Sequence, residues 1–413
     1  MASPGPPSRV GPGEAFLLAL AVLFPLGPRF ATAAGNVYLA TALTLVWLGA
    51  WTLFVFAGPV GGLSLATGPQ KALLAYAGFL VIQVLIHLGG LLERPAFLFR
   101  AVQLVAYMAL FATVASARLD QSAIRRLVRL SLVVLVVECA LAWAMRGGAR
   151  HGFLAGTFDN EHNSFAAYLV LMAPLVLALA SFTRDGRARA LLALLFALGV
   201  VSLAFSLSRT AYIAFPAAVL AVVHRRWGKR ALLATLAVAA ALVLVTGLAL
   251  PASIRDRFSS ILAIASGEEQ DISFLTRLAL WRAAFAEFIR TGLVGVGIYG
   301  FSYIDNYYVR VLVETGVIGF ALFLALIVAS LAWLSRAYER IRDAETRGLA
   351  LGLYGATIGL LVVANLASDT FLVHRVMGLY WILFGSLVAV HVRAHREGAG
   401  AIGPEDAPSA GGA

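Results

Sequence analysis

Cysteine is almost missing from this sequence: Cys139 is the only one among 413 residues. No intramolecular disulfide and no cysteine metal cluster can be built from it. Charge is scarce too. Asp, Glu, Lys and Arg make up 13%, about half the share of a water-soluble domain, and acidic residues are the rarer sign, 21 against 32 basic. A chain with so few charges cannot cover a globular surface against water, which excludes an ordinary soluble globe. What it has instead is apolar bulk, 61% by the AVILMFWYC count. A membrane-spanning helix takes ~20 apolar residues, so this total suits about twelve spans. The expected fold is all-α, a polytopic transmembrane helical bundle of about twelve spans.

Apolar runs lie near 14–31, 36–57, 71–92, 96–117, 127–146, 163–182, 189–207, 210–224, 231–250, 308–334, 347–367 and 371–392. Pro25, Pro28, Pro174 and Pro216 are expected to kink their helices. Residues 1–13, rich in Pro and Gly and without the cleavage site of a secretory signal, read as a disordered cytoplasmic tail. Residues 397–413 read as a second one, so 14–396 form a single transmembrane domain. An even number of spans puts both ends on one side, and 19 of the 32 lysines and arginines fall on that side. The bias orients both termini to the cytoplasm. The net charge of +11 is therefore mainly a topology signal, and without an aromatic-interleaved basic patch it does not point to nucleic acid.

The longest excursion from lipid is an external loop at about 251–307, before the tenth span, and loops of that size usually have a function. Within it Ser273–Arg290 reads as an amphipathic helix. Phe274, Leu278, Trp281, Phe285, Phe288 and Ile289 share an arc of about 100°, with Arg277 and Arg282 at its two edges, as in a helix lying among lipid headgroups. These arginines either anchor the helix to lipid phosphate or bind a substrate. Gly295, Gly297 and Gly300 spell GxGxxG, but a helix rather than a strand precedes them, so the dinucleotide fingerprint does not apply. This stretch reads as a flexible return to the membrane. Gly348, Gly352, Gly355 and Gly359 carry the small-xxx-small spacing of close helix packing.

Three stretches carry a family likeness: GTFDNEHNSFAAYLVLMAPL at 156–175, SLSRTAYIAF at 206–215, and TRLALWRAAF at 276–285 together with DNYYVRVLVETGVIGF at 305–320. They resemble the O-antigen ligase and O-antigen polymerase superfamily of bacterial inner-membrane glycosyltransferases. Ligases of that superfamily tend to carry His where Asp305 stands, and the Asp-Asn form is more similar to the polymerase branch.

The resemblance implies transfer of glycan from a polyprenyl-diphosphate carrier at the outer face of the inner membrane, with no metal and no other cofactor. The acceptor is either a lipid-linked repeat unit, for a polymerase of O-antigen or exopolysaccharide, or lipid A core, for a ligase. A chain-length regulator and a flippase are partners the same resemblance implies. Charge gathering on a departing diphosphate suits guanidinium groups, which bind it bidentately and do not titrate away. Arg209 and Arg277 are the catalytic candidates for this, with Asp305 as general base or as a holder of a sugar hydroxyl. Arg282, Asn306, Arg310, Glu314, His162 and Asn163 are the substrate-binding candidates. Asn306, Arg310 and Glu314 are spaced by four and form one polar stripe, in which Arg310 and Glu314 are close enough to pair.

Two rivals remain at this point. A secondary transporter shares the twelve-span layout, although the chain lacks a long central cytoplasmic link and any visible similarity between its halves. A non-catalytic assembly subunit would tolerate loss of Arg209 and Arg277.

Overall fold

The computed structural model describes residues 10–32, 35–56, 65–146, 153–158, 161–246, 272–301 and 304–400, together with Asp256 and Ser259. Much of the long loop expected at 251–307 therefore lies outside the described residues, as do both terminal tails apart from residues 10–13 and 397–400.

Helices dominate: α1 (Pro12–Leu26), α2 (Leu39–Phe56), α3 (Gly68–Ile86), α4 (Leu88–Leu92), α5 (Pro95–Ala115), α6 (Gln121–Met145), α7 (His162–Phe182), α8 (Gly186–Ser206), α9 (Arg209–Thr246), α10 (Ile272–Thr291), α11 (Tyr307–Arg340), α12 (Ala344–Thr357) and α13 (His374–Gly400). Among the described residues eight helices are long and apolar enough to cross a membrane, and Pro12–Leu26 and Leu39–Leu53 are shorter apolar ones. α12 reaches that length by running on through a π-helical turn at Ile358–Val363 and a 3₁₀ turn at Ala364–Leu366. The protein is thus an all-α, multi-pass helical bundle.

The expected spans need three adjustments. The first ends at Leu26, and the polar stretch after it forms a two-stranded antiparallel hairpin in which Arg29 pairs with Tyr38. The runs at 210–224 and 231–250 join in α9, broken where Gly228 takes φ 82°, ψ −173°. Pro28 falls outside any helix, whereas Pro25, Pro174 and Pro216 lie inside theirs.

α7, α12 and α13 occupy the interior, and α8 lies at the periphery. The small-residue ladder on α12 explains the first of these. A Cβ added at Gly352 would stand 2.5 Å from Leu175 Cα on α7, and one at Gly355 would stand 2.8 Å from the Ala218 carbonyl oxygen on α9. Side chains there would force the three backbones apart.

The two ends of the bundle differ in chemistry. One gathers ion pairs between helix termini: Arg126 with Glu14 (Nη2 to Oε2, 2.9 Å), Arg125 with Asp343 (3.0 Å), and Arg225 with Glu339. The opposite end gathers the hairpin, the 153–158 segment, α10 and the turn between α12 and α13.

Candidate active site

The site forms around a break in α11. Gly316 adopts φ 65° inside that helix, which leaves backbone groups on either side without partners in the helix. The segment after α10 supplies partners on both sides. Val296 and Gly297 donate to the carbonyls of Val313 and Glu314 (3.0 and 2.9 Å), and Val317 and Ile318 donate to Gly292 and Leu293 (3.2 and 3.4 Å). Close approach requires glycine at both places. A Cβ on Gly316 would stand 2.2 Å from the Leu293 oxygen, and one on Gly295, at φ 71°, would stand 2.5 Å from the Glu314 carbonyl. The return expected to be flexible is instead a fixed turn stitched to α11.

That turn brings α10 against the start of α11. Trp281, Ala284 and Phe288 pack on Ile304, Val309 and Val313, so part of the bulky face assigned to lipid faces protein. Leu275, Phe285 and Ile289 remain exposed. The same packing sets Arg277 Nε 2.6 Å from Asp305 Oδ2. Arg282, one turn further on, is exposed and makes no ion pair among the described residues.

Asn306 caps α11. Its side-chain oxygen accepts from the Val309 amide (3.1 Å), and its Nδ2 donates to the Leu366 carbonyl (2.9 Å). Arg310 and Glu314 follow on the next two turns, both buried, with Arg310 Nε 3.1 Å from Glu314 Oε1. The opposite edge of the guanidinium faces Asp369, Nη1 to Oδ2 at 3.5 Å, and its carbon lies 4.8 Å from the Tyr299 ring centre. One buried cation therefore stands between two carboxylates.

Sequence reasoning missed Asp369. It sits in the short connection between α12 and α13, and the available signal was an acidic residue on the same side as Asp305. Burial raises its carboxyl above the ordinary range, against the lowering effect of Arg310; Asp305 and Glu161 raise it further by like charge. Burial likewise pushes the Tyr299 phenol up to about 12.

A second group lies where α7 and α9 begin. Ser208 Oγ donates to Asn163 Oδ1 at 2.7 Å, and Arg209, half-buried, follows as the first residue of α9. Leu207, at φ 55°, turns the chain sharply enough to bring Ser208 to this position. His162 stacks on Phe153, with ring centres 4.6 Å apart. α9 also packs against the Ala364–Leu366 turn to which Asn306 is bonded, which links this group to the first.

The segment leading into α7 is held by Arg375 of α13, which the sequence did not single out. Its Nη1 and Nη2 donate to the Thr157 carbonyl and hydroxyl (2.5 and 2.8 Å), and its Nε donates to the Phe24 carbonyl (2.8 Å). Thr157 in turn bonds the fully buried Glu138 of α6. A guanidinium, a hydroxyl and a carboxylate thereby fasten α1, α6 and α13 to the entrance of α7. Among the described residues no three His, Cys, Asp or Glu side chains gather as metal ligands would.

None of the curated proteins matches the chain. The O-antigen ligase family model matches residues 192–324. That stretch runs from within α8 into α11 and takes in Arg209, Arg277, Asp305, Asn306, Arg310, Glu314 and the break at Gly316. The match covers about a third of the chain, and over that stretch, set within the membrane-spanning bundle, the chain is similar to the O-antigen ligase family.

Proposed function

We propose that the protein polymerises O-antigen or exopolysaccharide repeat units. It would transfer a glycan from a polyprenyl-diphosphate donor to the hydroxyl of a second lipid-linked unit at the outer face of the inner membrane, with both termini cytoplasmic. The observation that carries this reading is the Arg277–Asp305 ion pair, at the end of the bundle where Arg209 also lies. In the reaction the acceptor oxygen attacks the anomeric carbon, the bond from that carbon to the diphosphate oxygen breaks, and the acceptor proton leaves.

Arg209 and Arg277 take the charge that develops on the diphosphate, with Arg282 nearby at the lipid surface, and no metal ion is required for this. As Arg277 turns to the diphosphate it uncovers Asp305, whose oxygens then accept the hydroxyl proton. Donor binding thus readies the base. Asn306, Arg310 and Glu314, with Asp369, form the polar wall on the α11 side, while His162 and Asn163 form the wall on the α7 side.

The Asp at position 305 favours the polymerase branch over a ligase acting on lipid A core. A deletion strain tests the choice through glycan length. Single short units capped on lipid A would support a polymerase, whereas long polymer stranded on its carrier would establish a ligase. Transport of glycan by the purified protein in vesicles, without transfer, would make it a carrier.

A further inference from the structure

A recess of about 440 Å³ lies between the corner joining α3, α4 and α5 and the glycine-rich turn after α10. This is within the range of ~300–1,000 Å³ usual for small-molecule sites. The corner contributes His87, Glu93, Arg94 and Phe97, and the turn contributes Val296, Ile298, Tyr299 and Gly300. The two sides are in firm contact at one point, since a Cβ on Gly297 would stand 2.0 Å from the His87 ring. Elsewhere the recess is open, and nothing lies within 4 Å of a Cβ built at Gly89 or Gly90.

Its chemistry is mixed. Among the described residues the His87 imidazole, the Glu93 carboxylate and the Arg94 guanidinium make no side-chain hydrogen bond or ion pair. Phe97 stacks on Tyr299, with ring centres 5.6 Å apart and planes at 10°, and Arg94 lies 6.0 Å from the Phe97 ring. An apolar occupant would strand three polar groups. A small anion would meet Glu93, and a small cation would meet Arg94. A ring bearing several neutral hydroxyls suits all of them, because each hydroxyl both donates and accepts, and its C–H face can lie on aromatic surface.

We propose that this recess is a saccharide subsite, which holds a sugar ring of the glycan while its reacting end lies at Asp305 and Asp369. The placement follows from Tyr299, which walls the recess on one side and meets the Arg310 guanidinium on the other. The inference rests on the glycan-transfer reading above and adds to it where the sugar chain is gripped.

The test uses the full chain in lipid nanodiscs. The probe is the neutral oligosaccharide released by mild acid from the source cell's own surface polysaccharide, with binding followed by saturation-transfer NMR and equilibrium titration. Gly90→Trp, which fills open space, and the pair Glu93→Gln with Arg94→Ala are each expected to weaken binding by about tenfold or more. Both are also expected to raise KM for the acceptor with kcat unchanged. Arg277→Ala is expected to bind the oligosaccharide normally while its transfer falls by roughly 10²–10³-fold. Parent-like binding and KM in Gly90→Trp that elutes and melts like the parent would overturn the subsite. Full transfer by Arg277→Ala would instead sink the reading of the reaction, leaving the binding result to judge the subsite separately.

Discussion

Arg277 on α10 places its Nε 2.6 Å from Asp305 Oδ2, just ahead of the cap of α11. The arginine side chain is 38% exposed, and ion pairs so open to solvent contribute little to stability, about 0–1 kcal/mol. A contact of that kind, held by a packed helix at the mouth of a buried polar cluster, has more effect on chemistry than on folding.

Arg277→Ala and Asp305→Asn are therefore expected to melt close to the parent while transfer falls by roughly 10²–10³-fold, the usual effect of losing one group that stabilises transition-state charge. Arg277→Lys should recover only part, since an ammonium lacks the planar fork that grips phosphate oxygens. Transfer assays with lipid-linked glycan, beside melting curves in detergent, measure both. Parent-level activity in Arg277→Ala would remove the arginine from the reaction.

Asp369 gives a prediction of opposite sign for stability and activity. Arg310 already faces Glu314, so a second charged carboxylate leaves the buried group with excess negative charge. A carboxyl raised in the folded state adds stability below its unfolded value, near 3.9. That contribution is lost as pH rises through the folded value. Asp369→Asn is thus expected to melt at or above the parent temperature at neutral pH, with the difference shrinking as pH is lowered. Its transfer rate should fall, because Arg310 loses one of the two carboxylates that aim it. Marked destabilisation at neutral pH would contradict this balance.

The Arg375, Thr157 and Glu138 network predicts a large structural effect. Removing one partner of a buried ionic network costs about 3–5 kcal/mol, because the group left behind stays desolvated. Arg375→Ala should therefore melt well below the parent, and Gly156→Ala should also lose stability. Gly156 sits at φ 57°, and a Cβ there would stand 2.5 Å from Glu138 Oε2. Unchanged melting in Arg375→Ala would show that the 153–158 segment is held by other contacts.

The opposite end should respond to acid. Asp343 accepts from the Thr346 amide and hydroxyl (2.9 and 2.7 Å) and from Arg125 (3.0 Å). Burial pushes its carboxyl up, but these partners outweigh burial and hold it below the ordinary value. Asp120 is lowered in the same way: hydrogen bonds from the Ala123 amide and Ser122, and the charges of Arg126 and Arg393, exceed the effect of burial. A lowered carboxyl contributes stability above its unfolded value and loses it as pH falls through the folded one. Asp343→Ala should cost about 1 kcal/mol at neutral pH as a lost helix cap, and the gap to the parent should close in strong acid. A gap that stays constant with pH would mean that the cap acts without its charge.

The bundle was legible in the sequence because a bilayer demands long apolar helices, and composition and run length register that demand directly. The helix at 273–290, the Arg310–Glu314 spacing and the glycine ladder on α12 were legible for a related reason: a single helical period fixes which residues share a face. The hairpin after α1 was not, since four-residue strands leave no periodic signal. The meaning of Gly295, Gly297 and Gly316 also stayed hidden, because two distant backbones need those glycines only where they meet.

The sequence alone determined that lipid is the solvent, roughly where the apolar helices run, and which residue types were available to a site. Only the tertiary structure decided that Asp369 faces Arg310, that Arg277 rests on Asp305, and that Arg375 and Glu138 hold the approach to α7. Local periodicity reaches one or two turns along a helix. These contacts join residues from 19 to 218 positions apart, and packing alone brings such side chains within hydrogen-bond range.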